Sequence, residues 1–131
     1  MNVNLARFLL NRYVVRGESG DPERVVKRCL RFLATGAPEP LRKPAGARLC
    51  ARIAILRGDR VRAEELLEQS IAFHEEVGAK DDAARELYAF GCLRGGEEGE
   101  ARKREALSML SGCGLAHPEA DLRAYYPELF T

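Results

Sequence analysis

Three arginines follow three alanines at matching places in the chain: Ala6-Arg7, Ala47-Arg48 and Ala84-Arg85. A guanidinium fork donates paired hydrogen bonds to a carboxylate, so a column of such side chains on one surface is chemistry for holding an acidic ligand. One helical turn further along the same face stand Asn11, Arg52 and Ala89, which add an amide and another guanidinium to the column. Asp81, Asp82 and Glu86 surround Arg85 and neutralise part of its charge locally.

The remaining candidates for chemistry are weaker. His74 stands in "FHEEVG" beside Glu75 and Glu76, carboxylates that general acid-base catalysis would require. The simpler reading is an exposed imidazole favoured by the negative end of a helix dipole. His117 precedes Pro118 in a loop and marks the start of a last helix. The stretch "RGGEEGE" at 94–100 has paired glycines but lacks the Lys-Ser or Lys-Thr and the preceding strand of a phosphate loop. Cys29, Cys50, Cys92 and Cys113 lie far apart, with no Cys-x-x-Cys pair and no histidine at ligand spacing, so they read as buried thiols in a reducing compartment. The expectation is a chain without catalytic residues, metal or cofactor.

The elements that must position these residues form a repeat. "ARFLLNRYVVRG" at 6–17, "ARLCARIAILRG" at 47–58 and "ARELYAFGCLRG" at 84–95 all run from Ala-Arg to Arg-Gly, at offsets of 41 and 37 residues. Good helix formers dominate each, and apolar residues recur at spacings of 3 and 4. The faces are Ala6, Leu9, Leu10 and Tyr13; Ala47, Cys50, Ala51 and Ala54; and Ala84, Leu87, Tyr88 and Gly91. Gly17, Gly58 and Gly95 end them.

A second helix follows each first one. One opens at Asp21-Pro22 and turns Val25, Val26, Cys29, Leu30 and Leu33 inward until Gly36. The next starts after Asp59, with Ala63, Leu66, Leu67, Ser70, Ile71 and Phe73 on its apolar side, and ends at Gly78. The third runs from about Glu97 to Ser111, with Ala101, Ala106, Leu107, Met109 and Leu110 inward. Arg57-Gly58-Asp59 is therefore a helix stop, a left-handed glycine and a helix start, rather than an adhesion tag. "TGAPEPLRKPAG" at 35–46 concentrates Pro and Gly and predicts an extended connection. A short helix from about Pro118 to Tyr126 follows, and Leu122, Tyr125, Tyr126, Leu129 and Phe130 are available to cap the stack or to form an apolar docking surface.

Length and charge set further bounds. At 131 residues the chain is a single domain, 1–131, able to bury its own core. Nothing approaches the roughly 18 consecutive apolar residues of a membrane span, and the N-terminus has arginines inside its apolar run, unlike a secretory signal. A cytoplasmic protein with no membrane partner is expected. The net charge of +1 hides a division: residues 1–62 carry 14 basic and 5 acidic side chains, residues 63–131 carry 7 and 15. Such asymmetry points to an acidic partner for the first half, or to head-to-tail contact between copies as a homodimer.

The pattern "ARLCARIAILRGDRVRAEELLEQSIAF" resembles a tetratricopeptide repeat, with small and apolar residues one turn apart on a first helix, a Gly-Asp turn, then Ala63 and Leu67 on a second. Leu9, Leu10 and Tyr13 resemble the same pattern, as do Leu87 and Tyr88, so the likeness spans about residues 3–112. The later hairpins are similar to divergent repeats of bacterial signalling kinases and transcription regulators. Departures are the 37 to 41 residue period, Ala6, Ala47 and Ala84 in place of a bulky aromatic, and no Pro after the second helix.

The resemblance implies an all-α right-handed stack of three helical hairpins, at about 3–36, 45–78 and 81–112, with a cap at 118–130. It also implies a non-catalytic adaptor that binds a protein or peptide, acidic in character, in a concave groove of Arg7, Asn11, Arg48, Arg52 and Arg85. The alternative is a nucleic-acid-binding regulator using Arg24, Lys27, Arg28 and Arg31 on the helix at 22–34. No stacking aromatic interleaves with that strip, and no helix-turn-helix or zinc pattern accompanies it, which disfavours nucleic acid.

Overall fold

The structure, a computed structural model, describes residues 2–16, 24, 27, 28, 31 and 39–130, with side chains for 8–15, 24, 27, 28, 31 and 47–130. All regular structure among these residues is helical: α1 (Asn2–Arg16), α2 (Glu39–Arg57), α3 (Arg60–Glu76), α4 (Lys80–Arg94), α5 (Gly96–Gly112), α6 (Pro118–Tyr125) and a closing 3-10 turn (Pro127–Leu129). Successive helices α2, α3, α4 and α5 pack on one another in chain order, a stacked helical-repeat fold with a C-terminal cap. The second helix expected in the first hairpin is described only at Arg24, Lys27, Arg28 and Arg31, which are helical and exposed. The cap at Asp21-Pro22, the inward set Val25, Val26, Cys29, Leu30 and Leu33, and the stops at Gly17 and Gly36 lie outside the described residues.

The Arg57-Gly58-Asp59 turn joins α2 to α3 by paired bonds. The Asp59 N–H reaches the Ala54 carbonyl at 2.9 Å and the Gly58 N–H reaches that of Ile55 at 3.0 Å, while Gly58 holds φ of 76°. That pattern satisfies the last carbonyls of α2 and needs a residue without a Cβ penalty at the left-handed position. Asp59 then caps α3, its carboxylate accepting from the Arg62 N–H at 3.2 Å.

One connection differs from expectation. The Pro- and Gly-rich stretch is not extended across its length, because α2 already begins at Glu39 and runs through Pro40, Pro44 and Gly46. Pro40 falls in the first turn, where its missing N–H has no intrahelical acceptor anyway, and Pro44 forfeits a single bond one turn later.

The core has two linked parts. Ala51, Leu66, Leu67, Ala89, Phe90 and Tyr126 form one, and Ala84, Leu87, Tyr88, Ala106, Leu110 and Leu122 the other. Full burial of a leucine such as Leu67 or Leu110 contributes about 1.5–3 kcal/mol. Every residue from Ala83 to Gly91 is buried, so α4 is the central helix, with neighbours on all sides. It meets α5 at Gly91 and Gly99, where a Cβ on Gly91 would stand 2.7 Å from the Gly99 carbonyl oxygen. The two backbones approach this closely because neither carries a side chain at the crossing. Ala101, expected inward on α5, is exposed.

Candidate functional site

The arginine columns converge on the C-terminal segment of the same chain. Arg52, 1% exposed, donates from Nε and Nη2 to the two Glu128 carboxylate oxygens at 2.6 and 2.9 Å, and from Nη2 to Asn11 Oδ1 at 2.6 Å. This one side chain ties α2 to α1 and to the closing turn. Arg85 on α4 makes a two-pronged contact with Asp121 of α6 at 2.7 and 3.1 Å, and also reaches Asp81 and Asp82 at 3.2 and 3.0 Å. The Tyr125 ring lies under both Arg85 and Arg48, at 4.1 and 5.5 Å from their guanidinium carbons. A cation over an aromatic face is attracted by the ring quadrupole, so Tyr125 is held by α2 and α4 at once.

Arg48 leads into a second, more deeply buried network. It donates from Nε and Nη2 to Glu86 Oε1 at 3.1 and 2.9 Å, and from Nη2 to Asp82 at 2.8 Å. Glu86, 0% exposed, also accepts from the Ser70 hydroxyl at 2.7 Å on Oε1 and meets His74 Nδ1 at 2.8 Å on Oε2. A carboxylate only accepts, so the Nδ1 proton of His74 points at Glu86. Charge here is paired and saturated with hydrogen bonds, the condition under which a buried carboxylate is tolerated.

Titration directions follow from this packing. Burial alone would raise the Asp82 carboxyl, but the hydrogen bond and charge of Arg48, with the charges of His74 and Arg85, outweigh it and hold the group below its usual 3.8. Burial pushes the Tyr126 phenol above its ordinary range, against the opposing pull of Arg48 and Arg52. Burial likewise raises the thiols of Cys50 and Cys92, which disfavours the reactive thiolate.

Several expectations change in consequence. Arg48, Arg52 and Arg85 do not line an open basic surface, because each is paired with carboxylates among Asp82, Glu86, Asp121 and Glu128; Nη1 of Arg52 is buried without a hydrogen-bond partner among the described residues. Asn11 faces Arg52 rather than solvent, and the Arg7 side chain lies outside the described set. Leu122 and Tyr126, offered as a cap or a docking surface, are both fully buried, while Tyr125 and Phe130 are half-buried and Phe130 stacks on Tyr88 with ring centroids 6.1 Å apart. They cap the core. Cys50 and Cys92 are half-buried and Cys113 is exposed at the C-cap of α5, so the expectation of uniformly buried thiols does not hold there; Cys29 lies outside the described residues.

His74 is the clearest correction. It is buried, and its partner is Glu86 on the next helix rather than Glu75 or Glu76, because position 74 continues the inward face of Ala63, Leu67 and Ser70. Ser70, His74 and Glu86 resemble a nucleophile, base and acid in type only. Ser70 gives its proton to the carboxylate rather than to an imidazole nitrogen, and it is buried, so the set is a brace between α3 and α4. Among the described residues no group of three or more His, Cys, Asp or Glu side chains is placed to hold a metal ion, and no helix is long and apolar enough to cross a membrane.

Comparison of the chain with protein-family models, curated proteins and solved structures finds no match. The class therefore rests on architecture: an all-α helical-repeat fold whose helices pack in sequence and whose inner arginines grip an acidic, aromatic segment.

Proposed function

We propose that the chain is a non-catalytic protein-interaction module whose inner helices bind an acidic and aromatic peptide segment. One observation carries the reading: Arg48 and Arg85, from corresponding positions of α2 and α4, and Arg52 one turn further along α2 meet Asp121, Tyr125 and Glu128 of a single short segment. The segment that fills the groove is the chain's own, and it serves as a pattern for a partner with a carboxylate, an aromatic ring one turn later and a second carboxylate beyond a bend. The finer reading, a tetratricopeptide-type adaptor of a bacterial cytoplasmic signalling protein, has its support in the Ala-Arg to Arg-Gly repeat of the sequence.

A labelled peptide of residues 116–131 titrated into the 131-residue chain tests this. An internal segment competes with it, so apparent affinity scales with the fraction of molecules whose groove is open. The double variant Asp121→Asn with Glu128→Gln weakens the internal segment and should bind the peptide at least ~10-fold more tightly than the unaltered chain. Adding Arg85→Gln should remove that gain. A folded double variant with no gain in peptide affinity would overturn the reading.

A further inference from the structure

Tyr125 and Tyr126 stand side by side in the docked segment, yet the groove holds them in different ways. Tyr125 is half-buried, with the guanidiniums of Arg85 and Arg48 over its ring. Tyr126 is 0% exposed and packs in one cluster with Ala51 of α2, Leu66 and Leu67 of α3, and Ala89 and Phe90 of α4. These surroundings are apolar, and the two small buried alanines leave room for a flat aromatic ring.

The hydroxyl of Tyr126 is the mismatch. It is a buried polar atom with no hydrogen-bond partner among the described residues, and Nη1 of Arg52 is another. Burial holds the phenol above its ordinary range, so at neutral pH the oxygen keeps its proton and the O–H is a donor without an acceptor. A hydroxyl taken out of water without a new hydrogen bond opposes docking, whereas the ring that carries it favours docking. Asp121 and Glu128 therefore match the groove in charge, and Tyr126 matches it in shape alone.

Resting on the reading of this groove as a peptide site, we infer that the chain's own segment is an imperfect occupant, and that the partner segment able to displace it carries phenylalanine where this chain has Tyr126. Such a partner keeps the two carboxylates and the ring under Arg85 and Arg48 and loses only the hydroxyl. It gains affinity over the chain's own sequence with no added contact. The same mismatch keeps the internal segment displaceable, because it raises the fraction of molecules whose groove is open.

Peptide titration into an opened groove is the test. The receptor is the 131-residue chain with Asp121→Asn and Glu128→Gln, and the probes are labelled peptides of residues 116–131, unsubstituted or carrying Tyr126→Phe or Tyr126→Leu. The Tyr126→Phe peptide should bind at least ~5-fold more tightly than the unsubstituted one, since no unpaired hydroxyl is then buried. It should also bind more tightly than the Tyr126→Leu peptide, which leaves part of the ring's volume empty. Tyr126→Phe within the otherwise unaltered chain should tighten the internal segment, so that the urea midpoint rises and the apparent affinity for the unsubstituted peptide falls ~5-fold. If none of the peptides binds a receptor that circular dichroism shows to be folded, the peptide-site reading falls and this inference falls with it. Binding of the unsubstituted peptide with no gain from Tyr126→Phe, or a lowered midpoint in the chain variant, would overturn the inference alone, because the hydroxyl would then have a partner. A Tyr126→Leu peptide as tight as the Tyr126→Phe one would overturn the choice of phenylalanine.

Discussion

Glu86 is the buried charge on which the contact between α2, α3 and α4 turns. Its carboxylate takes two bonds from Arg48, one from Ser70 and one from His74, with no exposure to water. Replacing Arg48 with Met keeps the aliphatic stem and leaves that carboxylate without its main counter-charge. Breaking such a buried pair costs about 3–5 kcal/mol. The Arg48 side chain retains 15% exposure and Ser70 and His74 stay in place, so the expected loss lies near the lower end, about 3 kcal/mol. The bond to Asp82, 31% exposed, adds only about 0.5 kcal/mol. Glu86→Gln removes the charge, and an amide cannot accept from all four donors, so it too should cost about 2–3 kcal/mol. The double variant should lose far less than the sum, because neither an unpaired carboxylate nor an Arg48 fork without its acceptor remains. Urea unfolding of the four proteins, followed by helical circular dichroism and extrapolated linearly, gives the cycle. A coupling of at least about 1.5 kcal/mol is expected. Additive losses, or an Arg48→Met cost under about 1 kcal/mol, would refute the view that this network is a desolvated brace.

Gly99→Ala should destabilise the fold by about 1–3 kcal/mol in the same urea assay. The added methyl meets the Gly91 carbonyl across the α4–α5 crossing, and that overlap outweighs the gain of about 0.5–1 kcal/mol that alanine normally brings to a helix. A stabilised variant would show that the crossing can open at no cost. The lowered Asp82 carboxyl predicts acid sensitivity with a definite sign. Its folded pKa lies below the usual 3.8, so its contribution is complete above that value and is lost as pH falls from about 4 through the folded pKa. Asp82→Asn should therefore flatten the stability profile in that window and leave the slope above pH 5 unchanged, as read by thermal melts across pH.

The second and third Ala-Arg to Arg-Gly segments made α2, α4 and the turns after them legible because each carries its own signals: periodic apolar residues, a left-handed glycine and, before α3, a capping aspartate. The sites of bonding between helices were less legible. Arg48, Arg52 and Arg85 stood out by position, but nothing local to them says whether the carboxylate they meet is foreign or lies 34 to 76 residues further along the same chain. His74 shows the same limit from the other direction. Its neighbours Glu75 and Glu76 suggested an exposed polar end, yet residues 70 and 74 extend the buried face of α3, and a polar pair on an apolar face needs a buried partner. The signal for that partner was present in "AARELYAFG", where Arg85 and Glu86 interrupt an otherwise small and apolar run. A fully buried acid cannot remain charged without donors, and those that reach it come from Arg48 of α2 and the polar pair of α3. Reading the three segments jointly, instead of sorting each residue as core or surface, is what brings the arginine column and the acidic C-terminal segment together as the two halves of one contact.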